Sequence, residues 1–91
     1  MEQLILKAKK LNIEKIKRLN IKIFKNWVRY DIIHEDLYYF QVITDNKISE
    51  TFFDLRNNLI TIRGSIKEGV KVLKELGFNT ENMIVRYRET N

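Results

Sequence analysis

The chain has 91 residues and a formal net charge of +5, with 17 Lys and Arg against 12 Asp and Glu. A composition of 44% hydrophobic and 32% charged residues marks a globular chain rather than a disordered one, and the length fits a single domain over residues 1–91. Cysteine is absent, which excludes a disulfide framework, a thiolate nucleophile and a cysteine-ligated zinc site.

A domain of this size buries only about 60–65% of its unfolded surface, so the expected working part is a shallow surface site rather than a deep pocket. Without cysteines, without an apolar run near the ~20 residues that span a bilayer, and without a signal-peptide core, the expected setting is cytoplasmic. Charge is unevenly spread. The first 30 residues hold nine basic side chains (Lys7, Lys9, Lys10, Lys15, Lys17, Arg18, Lys22, Lys25 and Arg29) against Glu2 and Glu14, and the remaining 61 hold eight against ten.

Residues 1–20 read as a basic amphipathic helix. Leu4, Ile5, Ala8, Leu11, Asn12, Ile16 and Leu19 recur at spacings near three and four, while Lys7, Lys10, Glu14, Lys17 and Arg18 form another stripe. Ile13 interrupts the pattern, and Asn12 is a candidate N-cap that splits the segment. Residues 21–63 then read as an antiparallel meander. Ile21 to Phe24 and Trp27 to Ile33 are rich in β-branched and aromatic residues, with a bulge expected at Lys25-Asn26. His34-Glu35-Asp36 reads as a turn, Leu37 to Thr44 as the strongest strand, and Asp45-Asn46-Lys47 as a hairpin turn. Ile48 to Leu55 returns, Asn57-Asn58 turns again, and Leu59 to Arg63 is a short strand.

Residues 65–77 carry full helix punctuation. Ser65 and Glu68 have capping-box spacing, Ile66, Val70, Leu73 and Leu76 form the apolar stripe, Gly77 stands at the stop, and Phe78 closes the contact beyond it. Gly69 inside the helix points to close packing on the sheet. Residues 83–88 make a last strand. The expected fold is therefore α+β, with a small antiparallel sheet of about five strands, order α-β-β-β-β-α-β, and helices packed on one face.

No motif fixes a reaction or a ligand. His34 is the only histidine, and adjacent turn residues make a poor metal site, so neither metal nor cofactor is expected. The carboxylates are scattered, there is no G-x-S-x-G elbow, and Arg63-Gly64-Ser65 is far from a phosphate-binding loop; an enzyme is not expected. The leading expectation is a binding module for a nucleic acid or nucleoprotein. Its candidate contacts are Lys7, Lys10, Lys17, Arg18, Lys22, Lys25, Arg29, Arg63, Arg86 and Arg88, with Trp27 and Tyr39 as stacking residues on an open sheet face. The competing readings are a solvated helix face and core aromatics.

Two alternatives accompany it. One is a protein–protein module with an acidic partner, of the kind phages and mobile elements encode against host defence complexes such as CRISPR effectors. The other is a homodimer through an open sheet face or edge strand, with Ile32, Tyr38 or Phe40 at the seam. A membrane partner is not expected, since the apolar face of the first segment lacks aromatic anchors.

Overall fold

The computed structural model describes residues 2–12, 14, 16, 27–44 and 47–89, with only the backbone described for 27–32, 34 and 44. Six strands form one sheet: β1 (Gln3–Lys7), β2 (Trp27–His34), β3 (Leu37–Thr44), β4 (Lys47–Asp54), β5 (Leu59–Gly64) and β6 (Ile84–Glu89). A helix, α1 (Ile66–Glu75), and a 3-10 turn (Thr80–Asn82) join β5 to β6. The strand order is β2-β3-β4-β5-β1-β6, and every pairing is antiparallel.

The meander over β2 to β5 forms as its alternation implies. Phe40 opposes Thr51, and Thr51 opposes Ile62, so the side chains line up in rows across the sheet. Tyr38, Phe40, Val42, Ser49, Thr51, Phe53, Ile60 and Ile62 are buried on one face. Tyr38 and Phe40 are therefore core residues and are not available for a dimer seam. The turn between β4 and β5 places Asn58 at φ 55, the left-handed conformation that asparagine tolerates.

The opening segment departs from expectation. Residues 3–7 are a strand, not the first turns of a helix, and β1 inserts between β5 and β6. Leu4, Leu6 and Ala8 are buried while Gln3, Ile5 and Lys7 are half-exposed, a period of two. The same residues also fit a helical stripe. Hydrogen-bonding neighbours on both sides decide the matter, a tertiary effect that local periodicity does not contain. Asn12 does act as a cap, its Oδ1 accepting from the Glu14 N–H at 3.0 Å, and Glu14 and Ile16 are helical. Ala8, Leu11 and Ile16 join the main core, so the connection leaving β1 starts out on the buried face.

The helix described along its whole length, α1, packs on β4 and β5, and helical backbone near the N-terminus is described only at Glu14 and Ile16. Its end is a Schellman motif: Gly77, at φ 89, donates to the Lys74 carbonyl at 3.0 Å, and Phe78 donates to the Leu73 carbonyl at 2.9 Å. Phe78 then stacks on Phe53 at 5.4 Å. Its start differs from a capping box. Ser65 stands at the N-cap with no side-chain cap bond, and its own N–H donates to the Ile48 carbonyl at 3.0 Å, which removes the donor that Glu68 would satisfy.

The buried face of α1 is Ile66, Gly69, Val72 and Leu73. Val70 is only partly buried, a rotation from the expected stripe. Gly69 explains it: a Cβ there would strike the Ile62 side chain and lie 2.8 Å from Ser49 Oγ, so only glycine lets the helix approach this closely.

Candidate functional site

The rotation of α1 turns Val70 and three lysines toward the space beside the helix. Lys67, Lys71 and Lys74 are spaced i, i+4 and i+7, which places them on one stripe, and all three are exposed. α1 packs over β4 and β5, and one of its sides faces the end of the sheet where Glu2 precedes β1 and Arg88 lies on β6. A groove of about 550 Å³ results, with Ile66 and Val70 as its apolar wall and the three lysines along its rim. Arg88 closes it from β6. The register sets Arg88 opposite Leu4, on the helix side of the sheet. Among the described residues Glu2 is the one carboxylate in that lining.

A second groove of about 480 Å³ lies near the start of β6. Lys9 and Lys10 line it beside Phe78, Asn79 and Met83. Both lysines are exposed. The two grooves thus flank β6 near its beginning and near its end, and each has lysines on its wall.

The expected contact residues divide by location. Lys10 and Arg88 line the two grooves. Lys7 and Arg63 fall on the opposite, open face by register, Lys7 across from Leu59 and Arg63 between Gln3 and Glu50. Lys7 Nζ donates to the Asn57 carbonyl, an internal partner. Arg86 is the residue that a register shift adds to β6, and it is exposed. Lys17, Arg18, Lys22 and Lys25 lie outside the described residues. The continuous basic helical face expected over residues 1–20 does not exist over residues 3–7, where Lys7 and the two leucines project to opposite sides of a strand.

On the open face, register places Trp27 across from Ile43, Arg29 across from Gln41, and Asp31 across from Tyr39. Trp27, Arg29 and Tyr39 therefore occupy positions on one face, as alternation implies. Tyr39 is half-buried, packs on Phe52 at 4.9 Å, and donates its hydroxyl to Glu50 at 2.8 Å. Those contacts occupy both its ring and its hydroxyl. The mixed charges of Lys7, Glu50, Asp54 and Arg63 give this face no single sign.

Sequence reasoning missed Lys67, Lys71 and Lys74. Their signal is present in KEGVKVLK, where lysines recur at one helical spacing. Arg88 is different, because only the strand order brings it beside α1.

Two titrating groups are shifted. Partial burial pushes the Asp54 carboxyl up, but the Asn57 side-chain amide, the backbone N–H groups of Asn57 and Arg56, and the Arg56 guanidinium together hold it below its ordinary value. The Glu89 carboxylate pushes the Tyr87 phenol up, and the Tyr87 hydroxyl donates to Glu89 at 3.2 Å. Neither group lies among the residues lining the two grooves. Among the described residues no three His, Asp or Glu side chains come together as a metal site, and no helix is long and apolar enough to cross a membrane.

No protein-family model, curated protein or solved structure matches the chain.

Proposed function

We propose that this chain is a non-enzymatic binding module that holds a nucleic acid by its phosphate backbone along the groove between α1 and β6. The supporting observation is the alignment of four cations, Lys67, Lys71, Lys74 and Arg88, around one groove whose described lining holds a single carboxylate. Helix geometry sets the three lysines about 6 and 4.5 Å apart along the axis, a ladder of point charges for successive phosphates. Arg88 adds a planar fork for a phosphate on the far wall. Lys9 and Lys10 extend the positive field toward the other end of β6. Phosphate contacts position a ligand without reading its bases, so binding is tolerant of sequence. The cysteine-free composition fits a protein acting inside the cell.

The test uses fluorescence anisotropy with a labelled single-stranded RNA and a labelled DNA duplex. The wild-type chain binds at least one of them at low salt, and changing Lys67, Lys71 and Lys74 together to Gln weakens that binding on the order of 10²-fold at about 0.1 M salt. Absence of binding to both probes at about 0.05 M salt removes this reading.

A further inference from the structure

We propose that β6 is a docking edge for a partner protein, accepting an extended acidic segment as a seventh strand. This inference rests on the edge of the sheet and not on the nucleic-acid reading. Among the described residues β6 is the last strand in the order and pairs with β1 alone, which leaves its outer backbone groups without a neighbouring strand there. All six of its residues are exposed. Three of them are large and apolar in part or whole: Ile84 at 64%, Val85 at 54% and Tyr87 at 47%. An open edge with exposed apolar side chains on both faces is the arrangement used in strand addition, where main-chain bonds give affinity and alternate side chains give choice.

Charge selects the occupant. Arg86 and Arg88 stand two residues apart on the strand, and Arg88 shares its groove with Lys67, Lys71 and Lys74. Glu89, the strand's only carboxylate, already accepts from Tyr87. A second copy of this chain meets like charge in the registers centred on the arginine stretch. Two-fold antiparallel pairing centred on Arg86, on Tyr87 or on Arg88 sets an arginine opposite an arginine each time, and like charges directly opposed destabilise a strand pair. The same two arginines favour an incoming strand with Asp or Glu opposite them and β-branched or aromatic residues beside Ile84, Val85 and Tyr87. The edge thus disfavours self-pairing in the registers centred on residues 86–88 and favours acidic, alternating sequence.

The experiment is a selection from a displayed library of random octapeptides against the full chain, followed by amide hydrogen exchange with the enriched peptide made synthetically. The expected winners alternate Asp or Glu with Val, Ile or Tyr, and they slow exchange in β6. Changing Arg86 and Arg88 together to Glu shifts preference from acidic toward basic versions of the same peptide, on the order of tenfold in relative affinity. N-methylation of alternate backbone amides in the peptide abolishes binding to the wild-type chain, a readout that does not depend on the variant folding. Enrichment of nothing, enrichment of basic or non-alternating peptides by the wild type, or protection confined to elements other than β6 would overturn the proposal.

Discussion

Among the described residues two lysine-rich stretches, 7–10 and 67–74, are arranged differently by the backbone. In the first, Lys7 ends a strand, faces the open side of the sheet and is tied to the Asn57 carbonyl, while Lys9 and Lys10 follow in irregular backbone at the mouth of a small groove. In the second, a helix sets Lys67, Lys71 and Lys74 on one stripe above a shared groove. The first 30 residues hold more positive charge, yet the second stretch holds it in line. A polyanion responds to charge at matched spacing along a surface, so secondary structure and not local composition decides which stretch becomes the contact.

That contrast depends on α1 being held firmly in place, and the largest expected effect comes from removing its anchor. Phe53 is fully buried, stacked on Phe40 and on Phe78, each at 5.4 Å. Phe53→Ala is expected to cost about 3–5 kcal/mol in chemical denaturation. A loss under about 1 kcal/mol would mean that α1 is docked by something else.

A more local disturbance is Gly69→Ala. The added methyl meets Ile62 and Ser49 and lifts the helix from β4 and β5, an overpacking cost of about 1–3 kcal/mol. Alanine returns up to about 1 kcal/mol through helix propensity. The expected net is a destabilisation, read as a lowered urea midpoint; a rise in midpoint would show that the helix does not sit as close as described.

The N-terminal side of the comparison is sharpened by Asn12→Ala, which removes the acceptor for the Glu14 N–H. The expected loss is about 1 kcal/mol of stability, with nucleic-acid affinity unchanged. A drop in affinity as large as that of the α1 lysine variant would return the leading role to the first stretch.

The smallest effect is pH-dependent and concerns the turn that presents the Asn57 carbonyl to Lys7. Asp54 Oδ1 and Oδ2 accept from the Asn57 backbone and side chain at 3.2 and 2.9 Å. Its folded pKa is depressed, so its contribution to stability is present above the ordinary value of 3.8 and fades as pH falls through the lower folded value. Stability of the wild type measured from about pH 5 to pH 2 should therefore fall slightly more steeply than that of Asp54→Asn. Parallel curves would show that the turn does not favour the carboxylate.

The fold was readable where local signals agree with each other. Gly77 and Phe78 mark the helix stop, and strict alternation in Leu37 to Thr44 separates Tyr38, Phe40 and Val42 from Tyr39, Gln41 and Ile43. It was not readable at residues 3–7, where Leu4, Ile5, Ala8 and Leu11 satisfy a helical period and Leu4, Leu6 and Ala8 satisfy a strand period. The tie is broken by β5 and β6, more than fifty residues away along the chain. The groove shares that dependence. Val70 reads as core until Gly69 rotates the helix, and Arg88 reads as one strand residue among several until β1 inserts between β5 and β6.

The decisive measurement is the salt dependence of binding for three proteins on one labelled oligonucleotide: wild type, the variant with Lys67, Lys71 and Lys74 changed to Gln, and the variant with Lys9 and Lys10 changed to Gln. The α1 variant should flatten the slope of log K against log salt by about 2 to 3, and the Lys9/Lys10 variant by less than about 1. An unchanged slope in the α1 variant, or a larger change from Lys9 and Lys10, would contradict the claim that the aligned lysines of α1 form the contact.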